Sequence, residues 1–235
     1  MTLRNDPRGP NLHVGSDVTI GDGVVFGANV VVHSGCRIGA HAVIGDNAVL
    51  GKRPVLGGQS TAKRGELSGL VIGDDCTIST GAIVFAGSQL GDSVIVGDLA
   101  VIRERVVVGE YSVVGRGVTV ENDTTIGARC KLQAAAYITA YCTLEDDVFI
   151  APCVVTTNDN FMGRTERRHA LVKGATIRRG ARVGGGAILL PGIEIGEEAF
   201  VGAGALVLRD VPAKSVVVGQ PARVLRDVAD DELLA

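Results

Sequence analysis

The chain has 235 residues, a mass of 24.2 kDa and a formal net charge of −3, enough for one good-sized domain. Its 33 glycines come with only seven prolines and 46% hydrophobic residues, which excludes a collagen with glycine at every third place and a disordered chain short of apolar residues. With five Phe, three Tyr and no Trp, the core must be built from Val, Ile, Leu and Ala. The small acidic charge gives no global field for nucleic acid, and no apolar run approaches the roughly 20 residues of a membrane span.

Residues 1–13 form a polar N-terminal segment without the apolar middle of a signal peptide, so the cytoplasm is the expected compartment. From Val14 an apolar residue recurs every sixth place through Ile20, Phe26 and Val32 to Leu56. A polar stretch over 57–71 interrupts this register, which restarts at Ile72 and runs to Ile150. A second polar stretch over 157–176 follows, and the register resumes from Ile177 to Val207. All 28 key positions are apolar, and the next residue is glycine in 16 of them, as at Gly15, Gly21, Gly97 and Gly196. Glycine there suits a corner whose backbone conformation penalises a Cβ. The fourth residue after the key position is small or β-branched, as at Ala42, Ala48, Ser88, Ala100, Thr124, Ala187 and Ala205, and predicts a second inward side chain of limited volume. Cys36, Cys76, Cys130 and Cys142 fall in that column and read as small core residues, whereas Cys153 lies one place off it.

This six-residue pattern resembles the hexapeptide-repeat family. The resemblance implies an all-β fold, a left-handed parallel β-helix over 14–211 with loop insertions at 57–71 and 157–176, and a short C-terminal extension over 212–235. Three hexads per coil give about nine coils, and strand layers about 4.8 Å apart make a prism on the order of 45 Å long. A narrower likeness covers about 131–223. There KLQ at 131–133, TLEDDVFIAP at 143–152, VVTTND at 154–159, LVKGATI at 171–177 and the segment 201–224 with its GQPAR turn resemble bacterial N-acetyltransferases that acylate a 3-amino group on a nucleotide-linked sugar. Ala134 and Ala135 stand where those relatives commonly carry an Asn pair, and 160–164 lacks their Tyr-Pro-Arg-like sequence.

Function is expected where the repeat breaks. Between Thr157 and Arg182 lie Arg164, Arg167, Arg168, Lys173, Arg178, Arg179 and Arg182 against only Asp159 and Glu166, a surplus suited to an anionic ligand such as a nucleotide diphosphate or coenzyme phosphates. Amide formation from a thioester needs a neutral amine, a place for the oxyanion and a proton path. A sugar amine is partly neutral near pH 7, so no strong base is required. The resemblance sets Asn158 beside the reacting centre and Asp159 as an orienting or proton-accepting group; the bland reading of both is an Asn-Asp turn. His169 is the other acid–base candidate, although its place within the loop reads more simply as decoration away from Asn158. Gln133 and Glu145 at corner positions read equally as substrate contacts or solvated corners, Tyr137 and Tyr141 as surface that stacks on substrate or packs between subunits, and Arg164 and Arg167 as candidate substrate contacts. For acetyl-CoA the resemblance implies Gly184, Gly185, Gly202 and Ala203 along the pantetheine, Lys173, Arg209 and Arg223 at the phosphates, and Pro221 near the nucleotide end. It also implies a homotrimer.

The expected activity is acetyl-CoA-dependent N-acylation of a nucleotide-linked amino sugar, with O-acetylation on the same scaffold as the alternative. No metal is expected, because a zinc site needs several converging histidines and no two of His13, His33, His41 and His169 are separated by a multiple of the coil length.

Overall fold

Each hexad folds as a short strand and a turn, because an aliphatic residue that must face inward every sixth place leaves room for little else. The computed structural model describes residues 3–58, 60 and 63–234. Met1 and Thr2 of the N-terminal segment, Gln59, Thr61 and Ala62 of the first loop, and Ala235 of the C-terminal extension lie outside the described residues.

Strands one coil apart pair in parallel and in register, so Thr77 and Ile78 lie against Ile95 and Val96. Three sheets result. Face one runs from Leu12–Val14 to Leu206–Val207, face two from Thr19–Ile20 to Glu194–Ile195, and face three from Val25–Phe26 to Ser215–Val218. Among the described residues, faces one and three have 11 strands each, of which one terminal strand is antiparallel, and face two has nine. Among the described residues the molecule is a parallel β-helix with ten parallel strands on faces one and three and nine on face two, slightly more than the nine coils expected. Its core is a column of aliphatic side chains, with Ile78, Ile102, Ile126, Leu132, Ile138, Leu144 and Ile150 fully buried. Each such side chain contributes about 1.5–3 kcal/mol by leaving water. The small column is inward too: Ala42, Ala100, Thr124 and Ala187 are buried. So are Cys36, Cys76, Cys130 and Cys142, whereas Cys153 is exposed. Burial pushes the Cys36 and Cys130 thiols up to about 11, which keeps them protonated.

The glycine column has a different cause from the one expected. A Cβ on Gly97 would come within 2.6 Å of the Arg116 backbone nitrogen, and one on Gly109 within 2.5 Å of the Ala128 nitrogen. Glycine follows the inward residue because the next coil's backbone occupies the space of a side chain. The left-handed conformation falls two places later, at Gly186 but also at Asp75, Tyr111 and Asp147.

The ends and the first insertion also shift. Arg4–Asp6 pairs antiparallel with Leu12–Val14 and closes one end as a hairpin. At the other end Ser215–Val218 adds a parallel rung beyond the boundary expected at 211, and Arg223–Asp227 folds back antiparallel on it. The first insertion begins after the strand Val49–Lys52. Its pairing with Ile83–Phe85 carries a register shift, and Pro54 follows. Leu56 therefore leaves the repeat register and is half-buried in the loop. Among the described residues no helix is long and apolar enough to cross a membrane.

Candidate functional site

The edge between faces one and two departs from the glycine rule. Immediately after the inward residues stand Phe85, Arg103, Glu121, Thr139 and Thr157, each one coil from the next. Lys52 aligns with Phe85 across the first insertion. The Lys52 ammonium and the Arg103 guanidinium both lie 5.3 Å from the centroid of the Phe85 ring. Arg103 also bonds the fully buried Glu104 carboxylate at 2.9 Å and Glu121 at 3.2 Å. One place further along the chain, Asn158 stacks below Ala140 and donates its Nδ2 proton to the Ala140 carbonyl at 3.3 Å.

Both insertions leave the prism at this edge. They enclose a cleft of about 1000 Å³. Pro54, Val55 and Leu56 line it from the first loop, and Asn158, Asp159, Arg168, His169 and Val172 from the second. Phe85, Arg103, Glu121, Tyr137 and Tyr141 form its floor.

The electrostatics sort these groups. The Asp159 carboxylate accepts the Phe161 and Gly163 backbone N–H groups at 2.8 and 2.9 Å and pairs with Arg168 at 3.2 Å. These bonds, the one from Gly163 foremost, hold it below the usual carboxylate range. It folds the loop, and this use of both oxygens argues against the proton-accepting role expected of it. Glu121 is taken up by Arg103; burial first, and the Glu121 charge second, push the Tyr137 phenol above its ordinary value. His169 sits in the same cleft as Asn158, contrary to its expected place as loop decoration. Its Nε2 lies 3.7 Å from the exposed Glu166 carboxylate, too far for a hydrogen bond.

Other expected contacts lie elsewhere. Arg167 stacks over Phe161 at 4.8 Å, and Arg164 is exposed; neither lines the cleft, where Arg168 is the second loop's cation. Glu145 is on the edge between faces two and three, bonded to Arg178 at 2.7 Å and to the Arg179 backbone N–H at 2.9 Å. Gln133 is on the edge between faces three and one. Arg178 and Arg179 pair with Glu194, Asp147 and Glu197, and Arg182 stacks on Phe200, so the basic run disperses around the prism.

The residues expected to hold the coenzyme fall on two edges flanking face one. Gly184, Gly185, Gly202 and Ala203 are on the edge after face three, with Pro221 beside them because Gln220 donates to the Gly204 carbonyl at 2.7 Å. A Cβ on Gly184 would strike the Ala203 nitrogen at 2.5 Å, so coil stacking alone demands that glycine. Lys173 and Arg209 are on the edge after face one, Lys173 with its backbone N–H on the Asn158 carbonyl at 3.0 Å. Arg209 and Arg223 together line a cavity of about 230 Å³ with Val207, Leu208, Ala222 and Asp210, whose carboxylate accepts the Glu194 backbone N–H at 2.8 Å. Two cations beside an apolar wall suit a phosphorylated nucleotide. Among the described residues no group of three or more His, Cys, Asp or Glu is arranged to hold a metal ion.

The family model of the bacterial transferase hexapeptide (six repeats) matches residues 17–52 and 87–122, and that of the hexapeptide repeat of succinyl-transferase matches 174–209. Together these matches cover less than half of the chain, which over those segments is similar to hexapeptide-repeat transferases. The serine acetyltransferase of Buchnera aphidicola is 40% identical over 68 residues, 29% of this chain and 25% of that protein. A putative acetyltransferase of Saccharomyces cerevisiae is 34% identical over 88 residues, 36% of this chain and 45% of that protein. The chain thus spans less than half the length of these curated relatives. A UDP-N-acetylglucosamine acyltransferase from Campylobacter jejuni, 16% identical, shares the fold with a TM-score of 0.50 over 94% of this chain and 73% of its own.

Lys52, Phe85, Arg103, Glu121 and Arg168 are cleft residues that sequence reasoning did not single out as substrate contacts. For Phe85, Arg103 and Glu121 the signal was present as non-glycine residues recurring one coil apart in the glycine column, whereas Lys52 and Arg168 lie outside that column and Arg168 showed only as part of the basic run.

Proposed function

We propose that this protein is a CoA-dependent N-acyltransferase that moves an acetyl group from acetyl-CoA to the amine of a nucleotide-linked amino-deoxy sugar. The observation that carries this reading is the convergence of Asn158 and His169 in one cleft walled by both insertions. The matched relatives named as acetyltransferases support it.

The amine nitrogen attacks the thioester carbonyl carbon, the carbon–sulfur bond breaks, and CoA leaves as a thiolate. The attacking nitrogen must lose a proton, and the thiolate can take one. His169 is the cleft's acid–base group for both transfers, since Glu121 and Asp159 are held by arginines. Asn158 is fixed through its Nδ2, which leaves its amide oxygen to orient the amine. Arg209 and Arg223 would hold coenzyme phosphates. In a homotrimer of parallel prisms, the glycine edge of one subunit would stand beside the cleft edge of the next, and the thioester would lie between them.

Purified protein supplied with acetyl-CoA and a panel of nucleotide-linked amino sugars should release CoA only when the amine is present. Absence of turnover with the whole panel, together with no thermal stabilisation by CoA, contradicts the reading. A second reading, O-acetylation, is favoured by one observation: His169 lies in the cleft, and a hydroxyl needs a base more than an amine does. Turnover of a hydroxyl acceptor that is abolished by His169→Ala but nearly indifferent to Asn158→Ala would select it.

A further inference from the structure

The first insertion builds a second cavity beside the cleft, of about 270 Å³. Four cationic residues line it, Arg53, Lys63, Arg64 and Arg105, and no carboxylate does. Arg105 is held in place by two bonds of 2.7 Å to Asp123, which lies outside the lining. Arg64 donates to the Gly57 carbonyl at 2.6 Å and closes its own loop. Among the described residues, no ion pair joins Arg53, Lys63 or Arg64 to an acid. Asp123 neutralises Arg105 and its charge also reaches Lys63, so the remaining surplus lies on Arg53, Lys63 and Arg64, which repel one another; an anion among them relieves that repulsion.

The neighbourhood already feels this field. Burial foremost, then the Lys52 and Arg53 charges, push the His33 imidazole below its ordinary range. The second insertion has no comparable feature, because Arg168 is paired with Asp159 and Arg167 lies on Phe161. Pro54 and Leu56 line both the basic cavity and the large cleft. One molecule can therefore reach from the first to the second across a shared wall.

We infer that the cavity formed by Arg53, Lys63, Arg64 and Arg105 binds the phosphoryl groups of the acyl acceptor, whose amine then extends past Pro54 and Leu56 to Asn158. This rests on the acceptor reading above and moves anion recognition from the second insertion to the first. It makes Arg53, Lys63 and Arg64 the residues that select a phosphorylated acceptor over a neutral one.

Phosphoryl groups also occur on CoA, so the test has separate arms. Inorganic pyrophosphate, a nucleoside diphosphate and CoA are each titrated into the full-length protein at low salt. The same titrations are run on Arg53→Gln and Lys63→Gln, with thermal melting as the check on folding. Arg64 is left intact because it holds the loop closed. Pyrophosphate and the nucleoside diphosphate should bind, weaken about tenfold in each variant, and weaken further with added salt, while CoA affinity stays within about twofold. In turnover, Lys63→Gln should raise KM for phosphorylated amino sugars, leave kcat, and leave phosphate-free amino sugars unaffected. Pyrophosphate that fails to bind, or binds both folded variants as it binds the native protein, overturns the assignment. Equal weakening of CoA gives the cavity to the coenzyme and also overturns it. Intact pyrophosphate binding with no acyl transfer to any amine removes the acceptor reading and leaves an anion site.

Discussion

Two edges of one prism use the same place in the repeat in opposite ways. Between faces two and three, Gly73, Gly91, Gly109 and Gly127 follow one another at coil spacing, and each leaves room for the backbone of the coil below. Between faces one and two, Phe85, Arg103, Glu121, Thr139 and Thr157 occupy the equivalent place. There the edge projects side chains, and both insertions open onto it. The scaffold tolerates either solution, so where side chains replace glycine marks where the chain spends sequence on something besides stacking.

This contrast can be broken experimentally, and the largest effect should come from chemistry. His169→Ala should lower kcat about 10²- to 10⁴-fold with the fold intact, measured as CoA thiol release beside a melting curve. An unchanged kcat removes His169 from the proton path. Next comes the shared core, where Ile126→Ala should cost about 2–5 kcal/mol in urea unfolding, because a fully buried side chain leaves a cavity between coils. If the loss falls well below that, the stacked column is not the main source of stability.

Smaller effects compare the edges directly. Gly109→Ala should destabilise by about 1–3 kcal/mol, since its Cβ would sit 2.5 Å from the next coil's backbone. Thr139→Ala, on the cleft edge, keeps a Cβ that already has its place and loses a buried hydroxyl, so it should cost no more than about 1 kcal/mol. Equal costs at both sites would dissolve the distinction. The smallest effect concerns the second loop. Asp159 titrates below its ordinary value, so the loop bonds it makes are present above the unfolded value of about 3.8 and are lost as pH falls through the lower, folded value. Hydrogen exchange at the Phe161 and Gly163 amides should therefore be unchanged from neutral pH down to about pH 4 and lose protection only below it. Loss of protection between pH 5 and 7 would show that another group closes the loop.

Much of the scaffold was legible because its cause is local. An apolar residue every sixth place dictates the coils, and the small column dictates burial of Cys36, Cys76, Cys130 and Cys142. The site was less legible because it depends on which edge a residue occupies, and the six-residue pattern looks alike on all three. Only counting against whole coils separates Glu121 on the cleft edge from Glu145 one face away. His169 was misplaced for a related reason. It follows a loop whose return path is set by the Asp159 bonds to Phe161, Gly163 and Arg168, and no periodicity records that path. Arg178 and Arg179 looked like part of a basic loop because they are close in sequence, yet each pairs with acids on neighbouring coils.

The central claim is that acyl transfer takes place on the edge where glycine gives way to side chains. The most direct measurement is acetyl-CoA turnover, with a nucleotide-linked amino sugar that serves the native protein, by the double variant Asn158→Ala/His169→Ala. The double variant should fold, still bind CoA and turn over at least about 10²-fold more slowly. A double variant that melts like the native protein and turns over at the native rate would place the chemistry on another edge.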